Sequence, residues 1–295
     1  MGGRFGDLIT AMVTPFDAEG KVDHVRAQEL AAWLVDERGS DGVVVAGSTG
    51  EASTLTDEEQ RELWLAVKEA VGDRATVIGG TGSNDTEHAV KLTRLAARDG
   101  LDAALSVTPY YNKPPQAGLL AHFKAVAAAG SIPIILYDIP GRSVVKIAHE
   151  TIMELAQVEN IAGVKDACGN AQGAARLVAD SPEWFEVYSG NDGDTLPWMS
   201  VGAVGVIAVA SQVVGPQMAE MIKRFKAGDV QGAAGIHLKM MPVFDAMGIT
   251  TNPIPVRAAL GLLGQPVGSP RLPLIPATGD QIQTLKRVLK TAGVL

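Results

Sequence analysis

The chain has 295 residues and a net charge of −8, with 46% hydrophobic, 5% aromatic and 20% charged residues. That composition excludes a disordered chain, and the acidic balance excludes bulk electrostatic attraction to nucleic acid or to an anionic membrane. The single cysteine, Cys168, precludes an internal disulfide and fits a reducing cytoplasm, Met1–Asp7 shows no signal-peptide pattern, and no apolar run reaches the ~18 residues of a membrane span.

Short apolar runs rich in Val and Ile recur along the chain, each followed by a segment of helical period. In order they are Leu8–Val13, Gly42–Ala46, Ala75–Gly79, Ala103–Val107, Pro133–Tyr137, Ile161–Lys165, Phe185–Tyr188 and Gly205–Val209, and they read as buried parallel strands. After the second run, Thr56–Val71 reads as a helix opened by Thr56-Asp57-Glu58-Glu59, a capping box with acids in the first turn. After the third, Thr86–Arg98 reads as a helix ended by Asp99-Gly100, with glycine just past its end. The strands recur every ~28 residues on average, a sensible βα unit. Eight such units predict an α/β fold, a (β/α)8 TIM barrel. A doubly wound open sheet gives the same alternation, but its first strand normally leads into a Gly-rich phosphate turn. Here that strand leads into Thr14-Pro15-Phe16.

From about Phe225 the strands stop. Lys226–Gly248, Pro255–Leu263 and Thr278–Ala292 read as helices, with a proline-rich connection over Gly264–Pro276. The expected organisation is a barrel over residues 1–224 and a small C-terminal helical domain over 225–295.

Barrels of this kind place their chemistry at the C-terminal ends of the strands. The sharpest signal there is Lys165, which alternation places on the same face as Ile161 and Gly163. It reads either as a lysine salt-bridged at the strand end, with Asp166 as a partner, or as a Schiff-base nucleophile. The second reading requires desolvation, because an ammonium of pKa ~10.4 cannot attack a carbonyl at neutral pH. Tyr137 ends the neighbouring strand, either as a proton shuttle or as a ring filling the barrel top. Ser48 and Thr49 offer hydroxyls and backbone N–H groups for a carboxylate, or else simply turn the chain between Gly47 and Gly50. Arg142, after Pro140-Gly141, suits bidentate carboxylate recognition or is a solvated loop charge. No metal site is expected, since His24, His88, His122, His149 and His237 lack ligand spacing. Cys168 reads as a small packing residue, and Gly193 and Gly202–Gly205 serve either a phosphate or close packing.

Seven motifs in order resemble the dihydrodipicolinate synthase family of pyruvate-dependent class I aldolases, from Thr10 to Leu295. They are Val13-Thr14-Pro15-Phe16, Gly47-Ser48-Thr49-Gly50-Glu51, Val107-Thr108-Pro109-Tyr110-Tyr111-Asn112-Lys113-Pro114, Leu136-Tyr137-Asp138-Ile139-Pro140-Gly141-Arg142-Ser143, Gly163-Val164-Lys165-Asp166-Ala167, Ser189-Gly190-Asn191-Asp192 and Asn252-Pro253-Ile254-Pro255-Val256. The resemblance implies a lyase that condenses pyruvate with L-aspartate 4-semialdehyde to 4-hydroxy-tetrahydrodipicolinate, in diaminopimelate and lysine biosynthesis. By the same resemblance Lys165 forms the imine, and Tyr137, Ser48 and Tyr111 relay protons, Tyr111 from a neighbouring subunit. Ser48 stands where the family usually carries threonine. Thr49 holds the pyruvate carboxylate, Arg142 that of the second substrate, and Gly190 and Ile207 shape the pocket. No metal or organic cofactor is implied. The implied assembly is a homotetramer of two tight dimers, and the implied location is the cytoplasm, with no nucleic-acid or membrane partner. Asn191 replaces the family's usual aspartate. At the family's L-lysine effector position the usual acid is replaced here by His88, while Asn84 and Tyr110 remain, so inhibition by lysine is expected to be weak or absent. Three rival readings stay open: an N-acetylneuraminate or 2-keto-3-deoxy-sugar-acid lyase, a non-catalytic keto-acid sensor, and a phosphate-binding isomerase with Glu51 as base. Arg142 and the Tyr110-Tyr111 pair favour the synthase over the sugar-acid lyases.

Overall fold

The computed structural model describes residues 2–295. Eight strands follow one another as β1 (Leu8–Ala11), β2 (Gly42–Val45), β3 (Thr76–Gly80), β4 (Ala103–Val107), β5 (Ile134–Asp138), β6 (Ile161–Asp166), β7 (Glu186–Ser189) and β8 (Gly205–Ala208). They close into a barrel in sequence order, which rules out the open doubly wound sheet. Each strand lies within two residues of the run expected for it, because a strand buried on both faces needs an uninterrupted apolar stretch.

The chain divides into two compact units, residues up to Asp7 with 76–207 and residues 8–75 with 208–295. In the first, the parallel register sets Tyr137 of β5 opposite Lys165 of β6, and Lys165 opposite Tyr188 of β7. Gly205 of β8 lies against the backbone of Asp7, where a Cβ would come within 1.9 Å of the Asp7 carbonyl oxygen, so this glycine serves close packing.

The helices are α1 (His24–Asp36), α2 (Asp57–Val71), α3 (Thr86–Arg98), α4 (Gln116–Ala127), α5 (Pro140–Ser143), α6 (His149–Leu155), α7 (Ala171–Asp180), α8 (Thr195–Met199), α9 (Ser211–Lys226), α10 (Val230–Ala246), α11 (Ile254–Leu262) and α12 (Gly279–Ala292). The Thr56 hydroxyl accepts the Glu59 N–H while the Glu59 carboxylate accepts the Thr56 N–H, so the capping box forms as expected. The helix expected to start at Lys226 starts instead at Val230. Gly228 takes a positive φ of 85° and the Asp229 carboxylate accepts the Gly232 N–H, so the chain turns between α9 and α10. Within the second unit α10 packs on α9 and α12, and α11 on α9 and α12. Among the described residues no helix is long and apolar enough to cross a membrane.

Candidate active site

The first unit assembles Lys165 and Tyr137. Lys165 is 4% exposed and Tyr137 6%, and the lysine Nζ lies 4.3 Å from the centre of the tyrosine ring. Burial pulls the Lys165 ammonium down to about 8; Asp192 opposes the shift and Arg142 adds to it. Desolvation dominates because the charged form loses its hydration shell while the free amine loses little. Asp166 is not the partner of Lys165: strand alternation turns it to the other face, where it accepts the Cys168 N–H at 2.7 Å.

Behind the pair, Asp138 sits beside Asp166 in register, and its Oδ2 accepts the Cys168 thiol at 3.3 Å and the Ile147 N–H at 3.3 Å. Burial pushes the Asp138 carboxyl up to about 6, against the hydrogen bonds from Cys168 and Ile147. The Cys168 thiol is pushed well up by burial and by both acids, which fits a packing residue rather than a nucleophile. Asp138, Asp166 and Cys168 bring potential ligand atoms within 4.8 Å of one another, a grouping that no spacing in the sequence announced. Their hydrogen bonds to one another account for that closeness.

Arg142 is exposed on α5. Tyr111 is 87% exposed with a positive φ of 73°, so its ring meets solvent in the isolated chain. Ile207 is fully buried. Gly190 donates its N–H to Asp166 at 2.7 Å, and a Cβ there would come within 2.7 Å of the Ala167 Cβ, so the position admits no side chain without movement. Asn191 donates its amide to Asp194 at 2.9 Å. An aspartate at 191 would set two carboxylates against each other, which explains the amide in this sequence.

The second unit holds Ser48 and Thr49 in the turn that follows β2. Ser48 is half-buried and Thr49 buried, and Asn252 donates its amide Nδ2–H to the Thr49 hydroxyl at 2.9 Å. Glu51 is 3% exposed and pairs with Arg257 at 2.9 Å, and its other oxygen accepts the Arg271 N–H at 3.0 Å. Both carboxylate oxygens are thus engaged, so Glu51 is a structural anion and not the base that an isomerase would need. Sequence reasoning missed Asp192 as a charge acting on Lys165, Asn252 on Thr49, and Arg257 on Glu51. Asn252 already stood in a quoted motif, but nothing local marked its target.

A closed (β/α)8 barrel whose strand-end lysine is desolvated against a tyrosine ring defines a class of protein equipped for imine chemistry. Comparison with known proteins narrows the class. The Dihydrodipicolinate synthetase family matches residues 4–292. The 4-hydroxy-tetrahydrodipicolinate synthase of Synechococcus elongatus is 52% identical over 291 residues, covering 98% of this chain and 97% of the relative. Among solved structures, the Cyanidioschyzon merolae DHDPS with lysine bound superposes with a TM-score of 0.97 at 46% identity, covering 99% of this chain and 100% of that one. The chloride-inhibited dihydrodipicolinate synthase of Acinetobacter baumannii, complexed with pyruvate, gives a TM-score of 0.95 at 37% identity, covering 99% and 100%. The chain belongs to the dihydrodipicolinate synthetase family.

Proposed function

We propose that this chain condenses pyruvate with L-aspartate 4-semialdehyde to 4-hydroxy-tetrahydrodipicolinate, the reaction named for its relatives. The observation that carries the reading is the buried Lys165 beside Tyr137, with its ammonium pulled down to about 8. At pH 7 about a tenth of such a lysine is free amine, against well under a thousandth at the ordinary value. The free amine adds to the keto carbon of pyruvate, and loss of water gives the protonated imine. That imine is itself the electron sink, so proton loss from the methyl group yields an enamine with no metal or organic cofactor. The enamine carbon attacks the aldehyde, and the semialdehyde's own amine then displaces Lys165 as the ring closes.

Tyr137, Ser48 and Tyr111 relay the protons of these steps, and the hydroxyl that serine shares with threonine is enough for that task. Thr49 holds the pyruvate carboxylate, Arg142 holds that of the semialdehyde, and Gly190 and Ile207 shape the pocket. The exposed Tyr111 supports its service to a neighbouring subunit, in a homotetramer of two tight dimers. A fully active monomer in sedimentation would refute that shared site. A cytoplasmic location, a place in lysine biosynthesis, and residues 225–295 acting as a helical domain complete the reading.

Borohydride added with pyruvate should leave a reduced adduct on Lys165, because only an imine is trapped this way. An adduct on another lysine, or none, overturns the mechanism. Faster cleavage of a sugar acid than synthesis from the semialdehyde would point to the sugar-acid lyases instead.

A further inference from the structure

Thr49 reaches its setting through a residue far along the chain. It is 4% exposed, and its hydroxyl oxygen accepts the Asn252 amide at 2.9 Å across a sequence separation of 203 residues. Because that lone pair is taken by a donor, the threonine proton turns elsewhere and is polarised for an incoming anion. Asn252 is itself held close to this turn. It lies just ahead of α11, whose Arg257 is 5% exposed and grips Glu51, two residues beyond Thr49. The same guanidinium donates to the carbonyls of Thr14 at 2.7 Å, Val267 at 2.7 Å and Gly268 at 3.1 Å. The Thr14 hydroxyl in turn donates to the Gly50 carbonyl at 2.5 Å. The turn from Gly47 to Glu51 is therefore fastened at three successive residues, Thr49, Gly50 and Glu51, and the buried Thr49 hydroxyl is the one aimed by an amide.

We propose that Asn252 is a positioning residue for substrate: it orients the Thr49 O–H as a donor to the carboxylate of the keto acid, and so sets the affinity for pyruvate without taking part in the chemistry. This rests on the assignment of Thr49 to that carboxylate. A hydrogen bond to a charged group carries a roughly tenfold to hundredfold effect on binding when it is lost.

Asn252→Asp tests the idea most sharply, because it replaces the donor by an acceptor. The Thr49 proton then turns toward the new carboxylate and away from the substrate, which also meets a like charge. We expect half-saturating pyruvate, read by borohydride trapping and by steady-state KM, to rise roughly tenfold to a hundredfold. The KM for the semialdehyde and kcat at saturating pyruvate should stay within about threefold, a split that general loss of structure does not produce. Asn252→Ala should give a smaller rise, and Asn252→Gln, which keeps an amide, should recover part of the affinity. Combined with Thr49→Val, the Asp substitution should add little to the effect of Thr49→Val alone. If Thr49→Val weakens pyruvate binding and Asn252→Asp does not, the positioning role is wrong while the carboxylate assignment stands. Should Thr49→Val itself leave pyruvate binding unchanged, the assignment fails and the role of Asn252 fails with it. Equal losses in both KM values and kcat would mark Asn252 as structural and overturn the proposal.

Discussion

Replacing Lys165 by methionine removes a charge that the fold holds out of water, and it keeps an unbranched side chain of similar length. Lowering an ammonium from 10.5 to about 8 corresponds to about 3 kcal/mol acting against the charged form in the folded state. The pH dependence follows from which state holds the proton. Below pH 8 both the folded and the unfolded chain carry it, and the folded state bears the whole cost. Between pH 8 and 10.5 the folded chain releases its proton first, so the cost shrinks, and above 10.5 it is gone. Lys165→Met should therefore be more stable than the parent by about 3 kcal/mol at pH 7, with the advantage vanishing by about pH 10.5. Urea unfolding of both proteins at intervals from pH 7 to 10, compared at equal m-values, measures this directly. A variant no more stable than the parent at pH 7 would refute the reasoning. So would an advantage that does not change with pH, because it would mean that burial of the charge is not what Lys165 costs the fold.

The remaining predictions concern the reaction and the Glu51 clamp. The rate of imine formation at low pyruvate should rise about tenfold per pH unit and level off near pH 8; a rise continuing unchanged to pH 10 would mean an unshifted lysine. Arg142→Ala should weaken use of the semialdehyde far more than trapping of pyruvate, and equal damage to both would make Arg142 structural. Breaking the buried pair by Arg257→Met should destabilise the protein by about 3–5 kcal/mol, and adding Glu51→Gln should restore part of the loss, as urea midpoints will report. L-lysine should inhibit weakly or not at all at millimolar levels. Initial rates halved at submillimolar L-lysine would show that His88 does not disable the effector site.

Lys165, Tyr137 and the strand order that makes them neighbours were legible in the sequence. Consecutive parallel strands of a barrel must adjoin, and β-alternation decides which residues share a face. The bounds of α3 were equally legible, since the Asp85 side chain accepts the Glu87 N–H and Gly100 takes a positive φ, both local features. The helical period expected after the eighth strand is realised in α9, although Gly215 and Pro216 interrupt it. The chain kinks at Val214, so the proline falls near the start of a fresh helical stretch, where its missing N–H costs little.

Local chemistry thus determined the elements, their order and the residue types at the strand ends, because propensity, capping and hydrophobic period act over a few residues. Tertiary structure alone decided that Lys165 loses its water, that Asp192 and Arg142 act on its charge, and that Asp166 turns to Cys168. It also decided that Asn252 meets Thr49 and Arg257 meets Glu51, across separations of 203 and 206 residues. Solvation and pairing depend on which surfaces the whole chain brings together, and no short stretch of sequence carries that information.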